Sequence, residues 1–65
     1  MFLRLTGRDS VLAFVNMNKV VCFGQTRELG ETYTRLWFGH PEHWADVVES
    51  PGQIMEMYIN ATKTP

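Results

Sequence analysis

Within the segment Val47-Val48-Glu49-Ser50-Pro51-Gly52-Gln53-Ile54, a strand pattern changes to a helix pattern, and this change indicates the overall architecture. Ser50 is a preferred N-cap residue and Pro51 suits the first helical position. Gln53 follows the serine by three residues, as a capping box requires. The sequence therefore predicts one amphipathic helix over residues 51–61. Its apolar residues recur at helical spacing and form one stripe: Ile54, Met57, Tyr58 and Ala61.

Short β-like runs fill residues 2–49, upstream of this helix. Period-two alternation and turn-forming residues between the runs predict four or five strands. Their expected bounds are 2–6, 11–15, 19–23, 33–38 and 44–49. The nearly continuous apolar run 20–23 predicts the central strand, buried on both faces or on one face with an interface on the other. The polar segment 24–31 is expected to be a loop or a wide hairpin connection.

These elements predict an α+β fold: a small antiparallel sheet of four or five strands with one C-terminal helix. The 65 residues are expected to form a single domain, strand-rich over 2–49, with a helix over 51–61 and a tail over 62–65. A chain of this size buries only about 60% of its surface on folding. Its single cysteine, Cys22, has no partner for an internal disulfide, so we expect a protein partner or a homo-oligomer.

The charges are divided along the chain, although the net charge is only −1. Basic residues outnumber acidic ones over 1–27, and acidic residues dominate 28–65. A dedicated nucleic-acid binder is usually basic overall, so the composition disfavours that class without excluding it.

No motif in the sequence indicates catalysis, a cofactor or a small-molecule substrate. A phosphate-cradling glycine loop and a serine nucleophile elbow are both missing. His40, Glu42 and His43 carry metal-ligating groups, but they lack the paired cysteine spacing of a zinc motif, so we predict no metal site. Cys22 lies in the most apolar run and is expected to be a buried small side chain. The prediction is therefore a non-enzymatic protein.

Two binding hypotheses remain open. Tyr33, Trp37 and Trp44 are residue types enriched in protein interfaces, and with Arg35 they are the predicted partner-binding residues of an interaction or regulatory accessory module. The alternative is a small nucleic-acid-binding regulator, in which aromatic residues on an exposed sheet stack bases. Its contacts would come from the basic residues interleaved with those aromatics: Arg4, Arg8, Lys19 and Arg35.

The first residues of the chain, 1–9, lack the basic start, long apolar run and cleavage site of a signal peptide. No apolar run approaches the roughly 18 residues that cross a bilayer. We therefore expect a cytoplasmic protein without membrane insertion.

Four segments carry a resemblance to a known family: Leu3-Arg4-Leu5, Phe14-Val15-Asn16, Val20-Val21 and Val47-Val48-Glu49-Ser50-Pro51. Together they resemble the small FlbD/SwrD-type proteins encoded among bacterial flagellar genes. Small phage-encoded proteins of unknown role show a similar arrangement, as does the strand-rich part of LytTR DNA-binding domains. The resemblance implies a bacterial or phage accessory protein and brings no catalytic residues. A third hypothesis is a structural subunit of a phage or flagellar assembly.

Overall fold

The computed structural model describes residues 1–63, which form five strands, one short 3-10 turn and one helix. Their bounds are β1 Phe2–Thr6, β2 Leu12–Asn16, the 3-10 turn Met17–Lys19, β3 Cys22–Glu28, β4 Glu31–His40, β5 His43–Val47 and α1 Pro51–Thr62. The predicted α+β class is confirmed, with antiparallel strands and one C-terminal helix. No helix in this part of the chain has the length and apolar character that a bilayer crossing requires.

The strands divide into two antiparallel sheets that meet at one corner. β1 pairs with β2, while β3, β4 and β5 form a sheet in that order. The end of β1 meets the end of β5, where Gly7 bridges to Val47 and the Val48 N–H donates to the Thr6 carbonyl at 2.9 Å. The central strand of the larger sheet is therefore β4, and the prediction that residues 20–23 form it was wrong.

The hairpin between β3 and β4 explains that error. Its loop has only two residues, Leu29 and Gly30, with φ angles of 54° and 80°. Two positive φ angles in a two-residue loop are the mark of a type I′ turn, whose twist matches that of the flanking strands. The tight turn lets the polar residues 24–28, predicted as a loop, pair with β4. The expected strand over 19–23 begins only at Cys22, because Lys19 belongs to the 3-10 turn.

The core lies between the inner faces of the two sheets and the first turns of the helix. Its buried apolar side chains are Leu3, Leu5, Val15, Met17, Leu36, Val47 and Ile54. Eleven large apolar residues of the described chain are exposed, against these seven in the core. Apolar burial is the main favourable term in folding. The described chain nevertheless leaves much of its apolar surface in contact with solvent.

The helix begins as predicted. The Ser50 hydroxyl accepts a hydrogen bond from the Gln53 N–H at 3.1 Å, and the Gln53 side chain accepts one from the Ser50 N–H at 2.8 Å. This reciprocal pair is a capping box. The predicted buried stripe was only partly right, because Ile54 is buried while Tyr58 is exposed. The helix packs on the sheets through its first turns alone.

The far end of the predicted stripe is exposed as well, at Ala61. Thr62, predicted as the first tail residue, is still helical, and its hydroxyl donates to the Ile59 carbonyl at 2.9 Å. The rest of the predicted tail includes residues 64–65, which lie outside the described part of the chain.

Candidate functional site

The outer face of the three-stranded sheet brings the predicted partner-binding residues together. Side chains alternate along a strand, so Tyr33, Arg35 and Trp37 of β4 share one face. In the register of β4 with β5, Asp46 lies opposite Arg35 and Trp44 lies opposite Trp37. We define the aromatic-arginine face by these residues and one β3 carboxylate: Glu28, Tyr33, Arg35, Trp37, Trp44 and Asp46.

A forked ion pair lies at the centre of the aromatic-arginine face. Arg35 Nε donates to Asp46 Oδ1 at 2.7 Å, and Arg35 Nη2 donates to Asp46 Oδ2 at 2.9 Å. The Asp46 side chain is only 2% exposed and that of Arg35 is 19% exposed. Two parallel charge-assisted hydrogen bonds hold both planar groups in one orientation. The pair is therefore a rigid feature of the face.

Two tryptophans flank this ion pair. The guanidinium carbon of Arg35 lies 3.8 Å from the Trp44 ring centroid and 5.9 Å from that of Trp37. The two indole rings are tilted against each other, with centroids 6.4 Å apart. Such cation–π and tilted aromatic contacts are favourable geometries. Trp44 nevertheless remains 43% exposed, so an ordered aromatic surface faces solvent.

A second arginine reaches the face from the β1–β2 turn. The Arg8 guanidinium carbon lies 4.5 Å from the Tyr33 ring centroid. Its Nη1 is 3.3 Å from Glu28 Oε2 and 3.5 Å from Asp46 Oδ2. The Tyr33 hydroxyl donates in turn to the Glu31 carboxylate. Arg8 thus ties the smaller sheet to the larger one through carboxylates on two strands.

The pKa values of Asp46, Arg35 and Arg8 are shifted by these contacts. The hydrogen bonds from Arg35 hold the pKa of Asp46 below its ordinary value, outweighing the opposing effect of burial. The same contact raises the pKa of Arg35. The contact with Tyr33 raises the pKa of Arg8, and Glu28 and Asp46 act in the same direction. Both arginines on this face therefore stay charged, and both have carboxylates beside them.

The β3 side of the face is open. Gly24 lies directly opposite Arg35 in the β3–β4 register, and a Cβ added there would meet no atom within 4 Å. Because glycine has no side chain, β3 leaves the arginine uncovered from that direction. Arg35 is therefore accessible from this side of the face.

The basic residues of the nucleic-acid hypothesis do not form one surface. Arg8 and Arg35 belong to the carboxylate-rich cluster described above. Arg4 lies on the outer face of the β1–β2 hairpin, directly opposite Phe14, and Lys19 lies in the 3-10 turn. The prediction therefore named residues from three different environments.

Sequence reasoning missed the two acidic members of the cluster, Glu28 and Asp46. Asp46 is a charged residue between Ala45 and Val47 in a strand, and such a position is the only signal that marks it as paired. Glu28 carried no signal, because its segment was predicted to be a loop. Both assignments need the strand register.

Cys22 is exposed, so the prediction of a buried cysteine was wrong. It lies on the edge strand β3, opposite Trp37, and its apolar neighbours in sequence do not cover it. The His40 and His43 rings lie with centroids 4.6 Å apart. Within residues 1–63, no group of three or more histidine, cysteine, aspartate or glutamate side chains is placed to hold a metal ion.

Comparisons of the chain with known protein families, with curated proteins and with solved structures found no match. The residues of the aromatic-arginine face therefore carry the functional argument by themselves.

Proposed function

We propose that this chain is a non-enzymatic protein-interaction module, a cytoplasmic accessory or regulatory factor that self-associates and binds a protein partner through the aromatic-arginine face. One observation carries the proposal: Arg35 is locked by Asp46 against the exposed ring of Trp44. Tryptophan, tyrosine and arginine dominate the energetics of protein interfaces. A face already held in one geometry loses little conformational entropy on binding, which favours affinity.

The local charge balance supports a protein partner over a nucleic acid at this face. Arg8 and Arg35 both lie within 3.5 Å of carboxylate oxygens of Glu28 and Asp46. A phosphate approaching either arginine would meet these carboxylates and would have to displace them. Phosphate neutralisation is the main source of nucleic-acid affinity, so this arrangement disfavours it.

The nucleic-acid alternative finds its best support on the other sheet. Phe2, Arg4 and Phe14 share the exposed outer face of the β1–β2 hairpin. Aromatic rings beside a basic side chain are the usual platform for stacking single-stranded bases. If this function holds, affinity falls steeply with salt, and Arg4→Ala lowers the salt slope by about 1.

The resemblance to FlbD/SwrD-type proteins agrees with the proposed role. We extend the proposal to membership of that group of small bacterial or phage accessory proteins. The shared segments encode short strands and a helix whose N-cap residue is a serine. Such a factor acts by contact with another component rather than by chemistry.

The test compares tagged wild-type protein with Trp44→Ala in capture from host lysate, with and without nuclease. We expect Trp44→Ala to lose the specific partner at least tenfold, because a central aromatic anchor typically contributes a tenfold or larger effect. Phe14→Ala is the matched control, since Phe14 is an exposed aromatic on the other sheet. Ser50→Ala removes the helix cap at a cost of about 1 kcal/mol and controls for lost stability.

The outcomes separate the two functions. Equal capture by wild type and Trp44→Ala would overturn the aromatic-arginine face as the binding site. Equal loss by Trp44→Ala and Ser50→Ala would assign the effect to stability. Loss of all bound proteins after nuclease treatment, with sensitivity to Phe14→Ala, would support the nucleic-acid alternative instead.

A further inference from the structure

The outer edge of β3 lacks a strand partner among residues 1–63. β3 is the terminal strand of its sheet and pairs only with β4. Seven residues, Cys22–Glu28, line this edge, and none of them is a proline that would block pairing. Gln25 and Arg27 are exposed along it. An uncovered edge of this length is a template for pairing with another strand.

An apolar groove of about 390 Å³ lies at the beginning of β3. Cys22 and Phe23 line it from the strand, Val21 lines it from the residue before the strand, and Met55 and Tyr58 line it from the helix. Val21 is 71% exposed. The groove is thus an apolar surface without a cover in the single chain.

A protruding apolar side chain lies at the opposite end of the same strand. Leu29 is 92% exposed at the tip of the β3–β4 hairpin, with a φ of 54°. A type I′ turn favours asparagine or glycine at this position, and leucine is disfavoured there. An exposed leucine in a left-handed conformation lowers the stability of the single chain, so a contact made by its side chain outside the chain would account for it.

We propose that two copies of this chain pair antiparallel through β3, with a two-fold axis at Gln25 and the partner's Leu29 in the apolar groove. This inference specifies the self-association that forms part of the proposed function. About that axis, Val21 faces the partner's Leu29 and Phe23 faces the partner's Arg27. The protruding side chain and the groove lie at opposite ends of β3, so the interface is self-complementary and closes after two copies.

The hydrogen-bonding pattern favours this register. A two-residue hairpin makes Glu28 and Glu31 a hydrogen-bonded pair, so Glu28 directs its backbone groups towards β4. Alternate residues of an antiparallel strand direct these groups to opposite sides. Phe23, Gln25 and Arg27 therefore present free N–H and C=O groups at the outer edge, and the axis at Gln25 pairs all three.

The side-chain pairs across this interface favour the same register as the backbone hydrogen bonds. Arg27 would lie across from the partner's Phe23, where its stem covers the ring and its charge meets the π face. Glu28 would face the partner's Cys22, so no like charges are directly opposed. The two three-stranded sheets would join into one of six strands, with both aromatic-arginine faces on the same side.

Cysteine cross-linking tests the register directly. In a Cys22→Ser background, the double variant Val21→Cys, Leu29→Cys is expected to form covalent dimers on mild oxidation. The two positions are eight residues apart along a strand, about 26 Å, so a bond within one chain is excluded. The control Lys19→Cys, Leu29→Cys corresponds to a register shifted by two residues and is expected to remain uncross-linked.

The second measurement is the oligomeric state by sedimentation. We expect wild type to dimerise and Leu29→Asn to raise the dissociation constant at least tenfold. Asparagine suits the type I′ turn, so this variant is expected to fold at least as stably as wild type. Weaker association in a more stable chain cannot arise from unfolding.

The outcomes distinguish this pairing from self-association in general. A wild-type dimer that survives Leu29→Asn and gives no Val21–Leu29 cross-link would overturn the β3 pairing and leave self-association standing. Cross-linking of the Lys19 control instead would overturn the register. A wild-type chain that stays monomeric at all concentrations up to millimolar would overturn both.

Discussion

The outer faces of the two sheets carry the same residue types but have different physical states. On the larger sheet, Arg35 is held by Asp46 and covered by Trp44. On the β1–β2 hairpin, Arg4 lies opposite Phe14, and none of the ion pairs within residues 1–63 involves it. Each arginine lies two residues from an aromatic residue in the sequence, so composition alone does not separate them.

The difference lies in what the neighbouring strand supplies. β5 places a carboxylate opposite Arg35, whereas β2 places a phenyl ring opposite Arg4. A charge-assisted fork orders the first side chain, and the second retains its rotamer freedom. Only the first face is therefore held in one geometry before any contact is made.

The largest effect is expected from Asp46→Ala. This variant removes the carboxylate that orders Arg35 and is itself almost fully buried. We expect the free energy of unfolding to fall by about 2 kcal/mol, the range for hydrogen bonds to charged groups. Urea denaturation measures it, with Glu56→Ala on the exposed helix surface as the matched control. A loss below about 0.5 kcal/mol for Asp46→Ala would show that the carboxylate does not hold the face.

Lowering the pH is expected to reduce the free energy of unfolding by less than Asp46→Ala does, because protonation leaves the Asp46 side chain in place. Its pKa in the folded state lies below the ordinary value of 3.8. Between the two pKa values the unfolded chain binds more protons, so the free energy of unfolding falls as the pH falls through that window. Asp46→Asn removes this contribution. Identical pH profiles for wild type and Asp46→Asn between pH 5 and pH 2 would contradict it.

The smallest effect is expected on the hairpin face. Arg4→Ala should change the free energy of unfolding by no more than about 0.5 kcal/mol, because Arg4 is exposed and has no ion-pair partner in the described chain. Thermal or urea unfolding measures it beside Asp46→Ala. A loss as large as that of Asp46→Ala would remove the contrast between the two faces.

Local features of the fold were accessible from the sequence. The first strand spans Phe2–Thr6 as predicted, since alternation and the following turn residues define it. The helix begins at Ser50 and Pro51 as predicted, because a capping box depends on four consecutive residues. Residues 24–28 were wrongly predicted to form a loop because their side chains are mostly polar. An edge strand with an exposed face tolerates polar side chains, so composition does not distinguish the two.

Local sequence patterns were thus enough to predict the α+β class, the strand-rich first part of the chain and the start of the single helix. The position of β4 at the centre of its sheet, the exposure of Cys22 and the pairing of Asp46 and Glu28 with the arginines became evident only from the folded chain. The physical reason is the range of the interactions. Caps and turns connect residues a few positions apart, whereas Arg35 and Asp46 are 11 residues apart and meet only through the register of two strands.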